Sequence, residues 1–361
     1  MMSKTLRALF LGITLVSLMV ACVGYAFLAE VRRPAGDDIE LVEFVVEPGD
    51  STSAIATRLG TEGLIRQPLL FSMLVRMQGL DGQLQAGRYL LSESMTMSDI
   101  IVALQNSRVE EIQITLIEGL RLEEIAQQIG SSGLLNVTEQ DFLRVARNGD
   151  AFKPEHFLLN SLPEGASLEG YLFPDTYRFA VTATVTEVVQ TMLNRFDQQY
   201  ASFETEVQVS GVDVHEIVTM ASIVQREATQ ADEMPRIAAV FWNRLKPENL
   251  AETGGGRLGA DPTVQYILGQ RGNWWPKLDT LSLDEINGIS SPYNTRVNTG
   301  LPPGPISNPG LEALRAAAQP DSSAPYLYFV ASCTDIGAHN FAVTFEEFQR
   351  FEQEYLACSS R

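Results

Sequence analysis

At 361 residues the chain can hold two or three lobes with substantial cores, and 45% hydrophobic with 20% charged residues excludes a disordered protein. A net charge of -19 excludes a dedicated nucleic-acid binder, because phosphate contacts need clustered Lys and Arg. The acidity favours solubility and neutral or cationic partners.

Residues 8–29 carry no charge and are flanked by Lys4 and Arg7 before and by Glu30, Arg32 and Arg33 after. That length spans a bilayer. A cleavable leader has a shorter apolar core, and Met19 before Ala21-Cys22 fits a lipoprotein cleavage site poorly, so the run is predicted to be an uncleaved anchor. Residues 1–7 then form a cytoplasmic tail and 30–40 a polar linker, and the acidic body lies on the extracytoplasmic side.

An α+β body follows, predicted as a small subdomain over 41–108 and a larger mixed helical and sheet domain over 109–361. Phe44-Val45-Val46-Glu47-Pro48-Gly49, with Ile55-Ala56 and Leu59-Gly60, is matched 70 residues later by Ile114-Thr115-Leu116-Ile117-Glu118-Gly119, with Ile125-Ala126 and Ile129-Gly130. Each copy reads as strand, glycine turn and short helix, the second over 112–136, and two copies suggest duplication rather than a solenoid. Residues 84–91 read as a turn into a strand and 98–104 as a capped helix. Residues 134–162 are helical in pattern with a break at Lys153-Pro154.

Leu168-Glu169-Gly170-Tyr171-Leu172-Phe173-Pro174-Asp175-Thr176-Tyr177 packs aromatics around Gly and Pro, a rigid loop suited to wall a sugar site. Its acids, Glu169 and Asp175, are each more simply read as satisfying loop amides. A helix capped by Thr184 and Glu187 leads on to residues 217–227. There Ile217, Met220, Ala221 and Val224 fall at i, i+3, i+4 and i+7, and Glu227 continues the stripe. A carboxylate on the buried side has its pKa raised, to roughly 6 or above, which suits a general acid. The same pattern also fits a structural Glu at a helix end, paired with Arg226.

Asp232-Glu233-Met234-Pro235 starts the next helix, near whose end Asn243 and Arg244 either cap it or touch substrate, capping being the simpler reading. Asp261-Pro262 reads as N-cap and first turn of another. Trp274 and Trp275 sit in a polar loop, packed as a lid or exposed for a ligand. Residues 300–310 are stiff and proline-rich, suggesting a shaped surface, and Asn308-Pro309 caps a helix to Ala318. Residues 326–330 and 341–343 read as paired strands, with Thr344 and Glu347 capping the last helix. Cys333 and Cys358 form a disulfide if their Cα atoms come within about 7 Å, and otherwise remain buried thiols. His156, His215 and His339 have no metal-ligand spacing, so neither metal nor cofactor is expected.

Val46-Glu47-Pro48-Gly49-Asp50-Ser51 with Ile55-Ala56 resembles the start of LysM modules, small folds that bind N-acetylated glycans. The ordered set Glu169-Gly170-Tyr171-Leu172-Phe173-Pro174-Asp175, Ala221-Ser222-Ile223-Val224, Asn243-Arg244-Leu245, Asp261-Pro262-Thr263-Val264, Tyr293-Asn294-Thr295 and Gly300-Leu301-Pro302-Pro303-Gly304-Pro305 resembles the YceG-like endolytic murein transglycosylases. The resemblance implies a single-pass protein of the bacterial inner membrane with LysM-like βα parts and an extracytoplasmic domain that cuts peptidoglycan strands, with peptidoglycan synthases as partners. It implies Glu227 as the catalytic acid and Ser222, Glu169, Asp261, Tyr293 and Asn294 as substrate-binding. This sequence departs from the family pattern at Gln225, an acid elsewhere, at Gly259-Ala260, at Arg296 and at Phe348. Two other classes stay open: a membrane-anchored glycan-binding scaffold, and a hydrolytic muramidase using Glu169, Asp175 or Asp261 as a second carboxylate.

Overall fold

The computed structural model of the protein describes residues 18–105, except 20 and 23, and residues 111–359. Most of the expected anchor, residues 8–17 with 20 and 23, lies outside them. Residues 24–31 are helical, and Phe27 and Val31 join the core of the first unit. Among the described residues no helix is long and apolar enough to cross a membrane.

The chain divides into two compact units, one ending at Glu110 and one over Glu111–Arg361. In the first, strand β1 (Val42–Val46) pairs antiparallel with β2 (Gly87–Leu91), with Phe44 opposite Tyr89. Helices α1 (Thr52–Thr61) and α2 (Pro68–Met77) lie between them in sequence and α3 (Met97–Gln105) follows. Ser51 caps α1 by accepting the Ala54 amide at 3.2 Å, and Ile55, Ala56 and Leu59 face a core with Phe44, Tyr89 and Leu104.

The second unit repeats the strand-turn-helix step with β3 (Glu111–Thr115) and α4 (Leu122–Gly130), but β3 pairs antiparallel with β4 (Thr176–Ala180). The two sequence copies therefore build separate sheets. Between them lies α5 (Glu139–Ala146), and short 3-10 turns replace the rest of the helical pattern through residue 162. Then follow α6 (Val185–Tyr200), α7 (Glu204–Ser210), α8 (Val214–Glu227), α9 (Met234–Leu245), α10 (Asp261–Leu268), α11 (Leu283–Asn287) and α12 (Leu311–Ala318). The unit closes with the hairpin β5 (Tyr328–Ala331) and β6 (His339–Ala342), covered by α13 (Phe345–Ser359). A disulfide joins Cys333 to Cys358, with Cα atoms 6.3 Å apart, and ties that helix to the hairpin.

Helix α8 is the centre of this unit. The sequence stripe predicts one inward face, yet eight consecutive residues, Ile217 to Val224, are buried. A helix enclosed on all sides has neighbours all round. Helices α9, α10 and α12 pack on it, and the Ala-rich face of α12 permits a close approach. The remaining side is covered by the proline-rich passage, which is interior rather than a shaped surface: Ile306, Ser307 and Asn308 are at most 1% exposed. Ser222 holds it, its hydroxyl accepting the Ile306 amide at 3.0 Å while its carbonyl accepts from Ser307 Oγ at 3.1 Å.

The expected sugar wall at residues 168–177 is also interior. Tyr171 and Leu172 are fully buried and Phe173 is nearly so. Tyr171 packs its ring 5.3 Å from Phe196, and its hydroxyl bonds His215 Nδ1 at 3.0 Å. Gly170 lets the loop turn inward: its φ is +88°, and an added Cβ would lie 2.6 Å from the Pro305 ring.

Candidate active site

Glu227 ends α8 with its side chain partly enclosed, against the N-terminus of α10. Asp261 is the first residue of α10, and Ala260 stands at the cap position, one residue earlier than the sequence pattern predicts. Ala260 offers no side-chain acceptor, and the Asp261 amide acts on the Glu227 carboxylate, lowering its pKa.

Burial pushes the Glu227 carboxyl up to about 8, and the Asp261 carboxylate pushes the same way. The Arg296 guanidinium and the Asp261 amide pull it down. Arg296 is itself tied to Asp261, its Nε donating to Oδ1 at 2.9 Å. The structural alternative of a Glu227–Arg226 ion pair is absent among the described residues, since Arg226 lies with Cζ 3.9 Å from the Trp275 ring centroid.

The other expected site residues divide into two groups. Tyr293 is half-buried, with its ring 5.2 Å from Tyr266. Asp261 is about half exposed at its side chain. Ser222 and Asn294 are both fully buried. Asn294 Nδ2 donates to the Ile286 and Ile289 carbonyls at 2.9 and 3.1 Å, fixing the Tyr293 loop from behind.

Glu169 is only 3% exposed. Both of its oxygens lie 3.0 Å from the Leu122 amide, and Asn308 Nδ2 donates to Oε1 at 2.8 Å. Burial pushes this carboxyl up to about 8, while the Leu122 amide, Arg121 and Tyr266 lower it and Glu123 raises it. Asp175 pairs with Arg195 at 2.5 Å and accepts the Thr176 amide at 2.7 Å.

Tyr266, Trp274, Trp275 and Tyr293 are partly exposed, unlike the buried aromatics of residues 171–173. Arg121 lies between Tyr266 and Trp274, with Cζ 4.2 and 4.9 Å from their ring centroids. Trp275 Nε1 donates to Glu124 at 2.9 Å, and Gln265 Nε2 ties the loop back to α10 through the Pro276 carbonyl at 3.0 Å. Tyr266 carries no signal in the sequence that separates it from a core tyrosine, whereas the paired tryptophans in a polar loop do. Each histidine has a protein partner, Asp197 for His156, Tyr171 for His215 and Glu233 for His339, and no metal-ligating cluster occurs among the described residues.

The sequence matches the YceG-like family over residues 44–354. The chain belongs to that family. A relative from Bacillus subtilis (strain 168), named endolytic murein transglycosylase, is 31% identical over 93% of this chain and 91% of its own. A second of the same name from Streptococcus pneumoniae (serotype 2 strain D39) is 29% identical over 92% of this chain, which spans 62% of that longer protein. The crystal structure of a YceG-like protein from Listeria monocytogenes is similar with a TM-score of 0.57 at 31% identity, covering 86% of this chain and 99% of that one.

Proposed function

We propose that this chain is an endolytic lytic transglycosylase that cleaves the MurNAc-GlcNAc β-1,4 bond within peptidoglycan strands and leaves 1,6-anhydro-MurNAc ends. The observation that carries this reading is a partly enclosed acid, Glu227, whose neighbouring carboxylate is held by Arg296. Glycosidases that use water rely on two carboxylates. Here Glu169 is buried on backbone and Asn308, Asp175 is paired with Arg195, and Asp261 is paired with Arg296. None of these three is left to activate water, which favours a reaction whose nucleophile is part of the substrate.

The protonated Glu227 carboxyl gives its proton to the glycosidic oxygen as the bond to muramic C1 breaks. The C6 hydroxyl oxygen of the same sugar then bonds C1, and its proton passes to the Glu227 carboxylate, restoring the acid. No water is consumed. Mass analysis of digested strands is expected to show ends one water lighter than hydrolytic ones. Hydrolytic ends would instead indicate a muramidase, and binding without new ends a scaffold.

The first step needs the acid protonated, so kcat/KM is expected to fall as pH rises through about 8. Asp261→Asn removes a like charge and shifts that alkaline limb to lower pH. Arg296→Gln removes an opposing charge and shifts it higher. A pH-rate profile for the three proteins checks the order, and identical limbs would refute the charge coupling.

The residue 8–29 segment is assigned as a single-pass inner-membrane anchor with the body extracytoplasmic, and the first unit as a LysM-like glycan-binding part. The uncharged length of the segment and the Val46-Glu47-Pro48-Gly49-Asp50-Ser51 motif support these two assignments. A peptidoglycan synthase is the partner that this location and substrate favour.

A further inference from the structure

Arg226, beside Glu227 on α8, has a guanidinium for which the protein supplies few partners. Its Nη1 donates to the Gly119 carbonyl at 3.4 Å, and its Nε is buried without a hydrogen bond. Among the described residues it has no salt-bridge partner. Glu124 attracts it electrostatically, but Glu124 Oε2 already accepts Trp275 Nε1 at 2.9 Å and the Arg121 amide at 3.1 Å. A guanidinium carries five donors in a planar fork, and among the described residues the Gly119 carbonyl is the one protein acceptor that Arg226 reaches.

The surroundings hold this cation flat. Trp275 covers one face, with the guanidinium carbon 3.9 Å from the ring centroid. At Gly119 an added Cβ would lie 3.3 Å from Nη1 and 3.4 Å from Cδ, so a side chain there would crowd the arginine. The Trp275 loop is fastened to α10 at Gln265, one helical turn from Asp261, whose amide and carboxylate act on the Glu227 acid. Arg226 and Glu227 are consecutive on α8, and the loop stacked on the cation is fastened to the helix that begins beside the acid.

We infer that Arg226 recognises a carboxylate carried by the muramic residue or its substituent, and so sets substrate preference at the cut site. This rests on the transglycosylase reading above. A carboxylate matches the planar fork and would accept from its terminal Nη groups. Two sources share that chemistry: the stem peptide, and the lactyl group once the peptide has been removed.

The test uses the full-length chain and three strands: peptide-bearing, peptide-stripped with free lactyl carboxylates, and stripped with those carboxylates converted to methylamides. The native protein is expected to cut one or both carboxylate strands with kcat/KM roughly tenfold or more above the methylamide strand. Arg226→Gln should erase that ratio mainly through KM, and Arg226→Lys, which keeps charge but not the fork, should retain part of it. The carboxylate strand that loses most identifies the source. Equal cutting of all three by the native protein, or an equal proportional loss on all three in Arg226→Gln, overturns the carboxylate assignment alone. Absence of cutting on every strand overturns the transglycosylase reading and this inference with it.

Discussion

Glu227→Gln is expected to leave a folded protein that produces no anhydro ends, with a rate loss of at least about 10³–10⁴-fold, because one group serves as acid and then as base. The glutamine keeps the size of the side chain and an oxygen to set toward the Asp261 amide. Stability separates this assignment from a structural Glu. The folded pKa is about 8 and the ordinary value 4.5, so between these the folded state keeps a proton that the unfolded chain has released. This contribution favours folding fully below 4.5 and is lost as pH rises through 8, where the charged carboxylate is a burden on the fold. Replacing it with an amide should therefore raise the melting temperature at pH 8.5 relative to the native protein, with a smaller gain near pH 5. A variant that melts lower at both pH values, or that retains cutting within tenfold of native, would show that Glu227 is structural.

Much of the local fold is legible in the sequence because local rules and chemistry coincide. The Thr184–Glu187 and Thr344–Glu347 caps form, as do the β5–β6 pair and the Pro235 helix start, since each depends on contacts within a few residues. Glu227 was legible as an acid ending an apolar helix. The full enclosure of α8 was not, because periodicity reports one face and cannot count the elements that later pack on the others. The aromatic loop differs from its sequence expectation for a related reason. Flat rings beside Gly and Pro suit a ligand wall and a core equally, and Gly170 decides in favour of the core by admitting Pro305. Pairings across long separations, such as Asp261 with Arg296 or Glu169 with Asn308, leave no trace in either neighbourhood alone.

Asn308→Ala is expected to lower the stability of the second unit by about 3–5 kcal/mol, because the side chain is 1% exposed and every hydrogen bond it makes is buried. Its Oδ1 accepts the Gly170 and Leu172 amides at 3.0 and 2.9 Å, and its Nδ2 donates to the Leu120 carbonyl and Glu169 Oε1 at 3.0 and 2.8 Å. Removing it strands two amides, a carbonyl and an acid in the interior, at the point where the inward loop, the proline-rich passage and the segment before α4 meet. At roughly 2–4 °C per kcal/mol, a fall in melting temperature near 10 °C should be seen by circular dichroism. Asn308→Asp tests the cause. It keeps an acceptor for the two amides but sets a second carboxyl against Glu169, whose own pKa is already pushed up to about 8 by burial. Near pH 5 the pair can hold a shared proton, and the variant should recover much of the lost stability. By pH 8 that proton is leaving and two buried charges face each other, so the variant should then be at least as unstable as Asn308→Ala. A pH-independent loss in Asn308→Asp would mean that shape rather than donor and acceptor matching holds the knot together.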